Sequence, residues 1–356
     1  MRKDIAMKAL LYKKPGRVNG GVVEVPEPSC GEEQVIIRVK ACGICKPADT
    51  SHDRQGAVLG RYPVIPGHEF SGIVERVGAR VTHFKPGDRV TADNGMPCWK
   101  CYHCQRGEFA YCEEYQAIGH SVNGAMAQLV AVNESHVCAI PDNVTFRAAA
   151  LTELVGCCFR CIERCNIPYS ADVLILGCGA SGNLMAQLAK GTAAGTVTAL
   201  DCQPNKLERI ATRGVETILA DPDDYSIHEK ILRERFPHGL DYIIDTIGNA
   251  ELAERCIPLL KAGGTFANYS FPTTDKRTIS VDMGLFVRKE LNYIGTTFQH
   301  HSFSKCLKAM ADGKIDPELS ISHVFPLERY FEALDTNWDD PTSIKIIIEP
   351  NGSSEG

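Results

Sequence analysis

Four clustered cysteines, a glycine-flanked cysteine and a Gly-His-Glu triplet are the residues of this chain best suited to chemistry. Cys98, Cys101, Cys104 and Cys112 follow the spacing Cys-x2-Cys-x2-Cys-x7-Cys. Thiolates this dense make a tetrahedral Zn2+ site with no open position, which braces a lobe and does no chemistry. The same four thiols without a metal, in a Gly/Pro-flanked loop, would be prone to oxidation. Gly43-Ile-Cys45 and Gly67-His68-Glu69 offer a thiolate, an imidazole and a carboxylate. These are ligands for a zinc that keeps one position open, and a metal there acidifies a bound hydroxyl, as an alcohol requires before it releases hydride. Taken alone, His68 reads as a hydrogen-bonded core histidine. The glycine spacing around it, Gly67-His-Glu-x2-Gly72-x5-Gly78-x2-Val81, reverses that reading.

A second chemistry lies further along. Gly177-Cys-Gly-Ala-Ser181-Gly182 fits G-x-G-x-x-G. The motif is weak alone and can belong to an ordinary strand–turn–helix. Here a buried-type strand precedes it and a helical pattern follows, as a dinucleotide turn requires. Gly177 allows the tight turn, Gly179 lets the backbone approach a pyrophosphate, and Gly182 lets the helix pack close; the helix N-terminus then faces the phosphates. Asp201 ends the next strand, where an acidic residue binds both ribose hydroxyls, so the cofactor expected is NAD. Lys206 can reach the ribose or adenine, which leaves room for minor NADP use.

These residues need elements to position them. The first 150 or so positions carry short alternating apolar runs, such as Gln34–Val39 and Gly72–Val77, broken by Gly and Pro turns. They predict a β-rich domain of irregular-barrel type. From about Phe146 the pattern becomes helical over Ala148–Asn166. Strands at Asp172–Leu176, Thr196–Leu200, Leu240–Asp245 and Gly264–Asn268 then alternate with helices, beginning with Gly182–Lys190. That alternation predicts an α/β, doubly wound parallel-sheet (Rossmann) domain. Beyond Thr296 come a helix at Ser304–Ala311, the stretch Val324–Leu327, another helix and a strand at Ser343–Ile348, with Asn351–Gly356 frayed. The stretch Lys46–His52 reads as a lengthened loop.

Composition narrows the class. The chain has 356 residues, 44% hydrophobic and 23% charged, with net charge -6. Mixed charges without a basic stripe argue against nucleic-acid binding. No apolar run approaches the ~18 residues of a membrane span, and no signal-type apolar segment follows Met1–Met7, so a cytoplasmic protein is expected. Of the 16 cysteines, Cys157, Cys158, Cys161 and Cys165 read as small apolar packing residues.

The Gly67–Val81 stretch, the four-cysteine lobe and the later glycine turn, in this order, resemble the zinc-dependent medium-chain alcohol dehydrogenases over nearly the whole chain. The resemblance implies one catalytic and one structural zinc per subunit. It also implies a catalytic domain of residues 1–153 and 297–356 carrying the zinc lobe at about 95–113, and a cofactor domain of residues 154–296. The ligand that follows Gly-Ile selects Cys45 over Cys42. His68 is the second ligand. The third falls on Glu153, a position that is Cys in simple alcohol dehydrogenases and Glu in the sorbitol- and threonine-dehydrogenase-like branches. Glu69 is a second carboxylate able to exchange with water on the metal. A homodimer or homotetramer is implied. One position departs from the family: the proton-relaying Ser/Thr is replaced by Pro47, leaving Thr50, Ser51, His52 or water for that task.

The run from Glu153 to Cys157, Arg288-Lys-Glu-Leu-x3-Gly295 and Ile321–Leu327 resemble the polyol-dehydrogenase branch. The expected reaction is reversible oxidation of a secondary hydroxyl on a sugar alcohol. A threonine-type or sugar-phosphate dehydrogenase is the alternative, with Lys46, Arg54 and Arg61 as candidate phosphate partners. A nucleotide- and zinc-binding relative without turnover is the reading outside the enzyme class.

Overall fold

The computed structural model describes residues 6–272, 275–299 and 301–353. Met1–Ile5 and the last three residues of the tail, both touched on above, lie outside them. The chain divides into two units. One comprises Met1–Gly156, His300–Gly313 and Ile321–Gly356; the other comprises Cys157–Gln299 and Lys314–Ser320.

The first unit is built on a mixed seven-stranded sheet. Its order is Ile321–Pro326, Lys345–Glu349, Gln34–Gly43, Glu69–Val77, Arg89–Ala92 and Val137–Ala139, with Leu129–Asn133 also paired to Gln34–Gly43. The strand Gln34–Gly43 is the hub, because it pairs antiparallel with three others. Its apolar residues Val35, Ile36, Ile37 and Val39 are fully buried, and each such side chain contributes roughly 1.5–3 kcal/mol by leaving water. A long central strand of this kind fixes where its C-terminal end, and Cys45 just beyond it, must lie.

The second unit carries a six-stranded, wholly parallel sheet. Its order is Glu216–Leu219, Thr196–Asp201, Asp172–Leu176, Leu240–Asp245, Leu260–Asn268 and Asn292–Gly295. In chain order this is 3-2-1-4-5-6, the doubly wound arrangement whose first strand ends at the topological switch point. Val173 to Leu176 are 0% exposed, which explains a continuous apolar run rather than an alternating one.

Three local expectations need correction. The helix foreseen over Ala148–Asn166 is two helices, Phe146–Ala150 and Thr152–Cys165. They are parted at Leu151, where the Thr152 hydroxyl donates to the Ala149 carbonyl instead of leaving the turn undisturbed. The stretch Lys46–Asp53, read as a loop, is a helix. Finally, Asn351, expected to fray, donates its amide to the carbonyls of Val39 at 2.8 Å and Gln128 at 2.9 Å.

Candidate active site

The strand Gln34–Gly43 leads through Ile44, whose N–H donates to the Ile346 carbonyl at 2.9 Å, to Cys45. Cys45 caps the helix Lys46–Asp53. Its backbone is fixed from both sides: the Asp49 N–H donates to the Cys45 carbonyl at 2.8 Å, and the Cys45 N–H donates to Asp49 Oδ2 at 2.7 Å. Pro47 lies in the first turn of that helix. A proline there loses no hydrogen bond and presets the backbone angle, so the residue that lacks a relay hydroxyl gains a helix start.

Gly67 has φ +98°, and a Cβ on it would lie 2.6 Å from the Met126 N–H nitrogen and 2.9 Å from Cys42 Sγ. Only glycine fits, and it turns His68 and Glu69 inward at the start of the strand Glu69–Val77. The donor atoms of Cys45, His68 and Glu69 all lie within 4.8 Å of one another. Cys42, the competing thiol, is buried but stands outside that trio. Glu153 is also outside it. That residue sits buried in the first turn of the helix Thr152–Cys165 and acts on His68 through its charge.

The trio fits a zinc ion by donor chemistry: one sulfur from half-buried Cys45, and one nitrogen and one carboxylate oxygen from buried His68 and Glu69. Its electrostatics agree. Burial works against a charge on His68, yet Cys45, Glu153 and Glu69 more than offset it and raise its pKa to about 10. The negative charge that Cys45, Glu153 and Glu69 place around His68 suits a cation, which would bind the neutral imidazole in place of its proton. Burial raises Asp49 to about 6, opposed by His68 and the Cys45 N–H.

Two residues the sequence did not single out belong to this site. Lys345 is 5% exposed and puts its ammonium 2.7 Å from Glu69 Oε1. A lone lysine among Ile344, Ile346, Ile347 and Ile348 was the available signal, since lysine is almost never fully buried unless paired. His120 is the other: its ring centroid lies 4.8 Å from that of His68 and 5.4 Å from that of His52. Of the hydroxyl and imidazole candidates for proton relay, Ser51 donates to the Pro47 carbonyl, Thr50 accepts from the Trp338 indole, and His52 Nδ1 pairs with the Tyr62 hydroxyl at 2.8 Å. Only His52 therefore joins the stack of rings that ends at His68.

In the lobe, the four sulfurs of Cys98, Cys101, Cys104 and Cys112 also lie within 4.8 Å of one another. The Cys98 N–H donates to Cys112 Sγ at 3.2 Å and the Cys101 N–H to Cys98 Sγ at 3.4 Å, which is how a backbone stabilises thiolates. Backbone N–H groups lower Cys101 to about 6. The set is all sulfur, the closed type that fits a structural zinc. Cys104 and Cys112 are buried, so the lobe is less of an exposed loop than the sequence suggested.

At the glycine turn each glycine has its own reason. Gly177 has φ +90°. A Cβ on Gly179 would meet nothing within 4 Å, leaving that face open. A Cβ on Gly182 would fall 1.9 Å from the Gly177 carbonyl oxygen. Ser181 and Gly182 lie in the first turns of the helix Ala180–Lys190. Both Asp201 oxygens accept backbone N–H groups, Oδ2 from Cys178 at 2.7 Å and Oδ1 from Gln203 at 2.8 Å. Lys206, in the next helix, is close enough to Cys178 to act on its thiol. We expect Gly182→Ala to push the helix off the turn and weaken NADH binding at least about tenfold, the equivalent of ~1.4 kcal/mol, as read by quenching of protein fluorescence.

Residues 31–142 match the family model described as alcohol dehydrogenase GroES-like domain, and residues 180–312 match the one described as zinc-binding dehydrogenase. The D-altritol 5-dehydrogenase of Agrobacterium fabrum is 31% identical over 346 residues, covering 96% of this chain and 98% of its own length. The chain belongs to the zinc-dependent medium-chain alcohol dehydrogenases. Within them it falls on the sorbitol/polyol branch. D-arabinitol dehydrogenase 1 of Uromyces fabae is 29% identical, with 97% of each chain covered. A solved zinc-binding dehydrogenase from Sinorhizobium meliloti 1021, bound to NADP, superposes with a TM-score of 0.88 at 27% identity, over 97% of this chain and 100% of that one. The protein is thus a zinc-dependent, nicotinamide-linked oxidoreductase acting on alcohols. No helix among the described residues is long and apolar enough to cross a membrane.

Proposed function

We propose that this dehydrogenase oxidises a secondary hydroxyl of a polyol to the ketone, reversibly, with NAD as the hydride acceptor. The observation that carries the reading is the trio of half-buried Cys45 with buried His68 and Glu69, and the charge of buried Glu153 acting on His68: a carboxylate-rich site suits a polar substrate with adjacent hydroxyls. The names of the D-arabinitol and D-altritol enzymes support the substrate class. Cys45, His68 and Glu153 hold the catalytic zinc, with Glu69 as the exchangeable carboxylate. When bound there, zinc supplies Lewis acidity toward the substrate oxygen. The four lobe cysteines hold the structural zinc.

Gly177, Gly179, Ser181 and Gly182 cradle the pyrophosphate, and Asp201 with Lys206 faces the adenosine ribose. A carboxylate at Asp201 repels a 2′-phosphate, which favours NAD over NADP. The catalytic domain is residues 1–153 and 297–356, and the cofactor domain is residues 154–296. The enzyme works as a cytoplasmic homodimer or homotetramer.

The test is NADH formation across polyols and simple aliphatic alcohols, each with NAD and with NADP. Polyols should exceed ethanol and 2-propanol in kcat/KM. A preference for the simple alcohols would remove the polyol assignment. Asp201→Ala should narrow the NAD-over-NADP preference by roughly tenfold through a rise in KM for NAD. An unchanged ratio would clear Asp201 of that role.

A further inference from the structure

The pair formed by Lys345 and Glu69 is almost sealed from water, at 5% and 0% exposure. The Lys345 ammonium lies 2.7 Å from Glu69 Oε1, which accepts its hydrogen bond, and 2.6 Å from Oε2, which accepts none. Lys345 opens the strand Lys345–Glu349, which pairs with Gln34–Gly43, and Glu69 opens the strand on the other side of Gln34–Gly43. Gly43 lies between them. A Cβ there would fall 2.4 Å from Glu69 Oε2 and 3.2 Å from Lys345 Cε. The backbone thus leaves a socket for this ion pair. Among the described residues no second ion pair reaches Glu69, while the donor atoms of Cys45 and His68 stand within 4.8 Å of its carboxylate.

Burying two charges is costly, and an apolar pair of similar size would serve the fold at least as well. The carboxylate instead lies against the Lys345 ammonium while standing within 4.8 Å of the Cys45 and His68 donor atoms. We propose that Lys345 is a positioning residue that holds Glu69 back from the catalytic metal, so that the position open to substrate stays free. This rests on the reading of Cys45 and His68 as zinc ligands. With the Lys345 ammonium removed, the metal is the strongest positive charge left to Glu69, and the carboxylate turns to it.

The experiment is zinc release to a chromogenic chelator from the full-length holoenzyme, with KM and kcat measured alongside. Cys45→Ser and Cys98→Ser assign the two release phases to their sites. Lys345→Met should slow the Cys45-dependent phase by about tenfold or more, the size of effect seen when partners of metal ligands change. It should also raise the substrate KM. Lys345→Arg should restore parental release, and the double variant Lys345→Met with Glu69→Gln should abolish the slowing. Glu69→Gln alone, which keeps the lysine, should release zinc within roughly twofold of the parent. Release unchanged in Lys345→Met, or slowed equally in the double variant, overturns the proposal. So does release accelerated about tenfold by Glu69→Gln, because Glu69 would then already hold the metal. A parent with no phase sensitive to Cys45→Ser would instead sink the ligand reading itself, a separate and recognisable outcome.

Discussion

Cys45→Ser should lower turnover by at least about a thousandfold, because Lewis-acid help at an oxygen is worth several kcal/mol and each 1.36 kcal/mol is a factor of ten. Serine keeps the volume and the backbone cap. It cannot supply a thiolate, which is the softest donor of the trio and the strongest of the charges acting on His68. The backbone around residue 45 is fixed by Asp49 from both sides, so the variant should fold with the parental far-UV spectrum. Retained turnover in a folded Cys45→Ser protein would mean that the metal sits elsewhere. A decrease in turnover matched by a decrease in Tm would point to a structural effect.

The second large effect belongs to the lobe. Cys98→Ser should lower the apparent Tm by more than about 10 °C, since binding of a structural zinc is itself folding free energy. Cys98 touches each other member of the cluster: its N–H reaches Cys112, its sulfur accepts from the Cys101 N–H, and it lies 3.9 Å from Cys104 Sγ. The lobe around it has little apolar filling of its own. Trp99 and Tyr102 are 60% and 62% exposed, so the metal rather than a core must hold it. Proteolysis should then cut first near residues 98–112. A Tm within a degree or two of the parent would show that the four thiols carry no metal that matters to the fold.

The doubly wound sheet was legible because its signals are local. Asp172–Leu176 and Leu240–Asp245 are continuous apolar runs bounded by turn residues, and the strands fall on those bounds. The edge strands Glu216–Leu219 and Asn292–Gly295 were missed, being short and largely exposed, so they carry no apolar run. The helix Lys46–Asp53 was hidden by its composition. Its sequence, Lys-Pro-Ala-Asp-Thr-Ser-His-Asp, is polar and reads as loop. What turns it into a helix is tertiary: buried Asp49 and His52, and the bond from the Trp338 indole to Thr50.

The candidate site shows the same division. Cys45, His68 and Glu69 stand beside glycines whose spacing is visible in the sequence, and the four lobe cysteines announce themselves. Lys345 and His120 do not, because each joins the site from a distant segment. Lys345 arrives because the last strand pairs with Gln34–Gly43, and His120 because its ring rests on that of His68. Pairing across 276 residues leaves no local pattern.

The central claim is that one chain carries two zinc sites, of which only the one at Cys45 and His68 serves catalysis. Metal content per subunit, measured on the parent, Cys45→Ser and Cys98→Ser, tests it most directly. The account predicts two zincs in the parent and one in each variant. A single zinc in the parent that survives Cys45→Ser would contradict it.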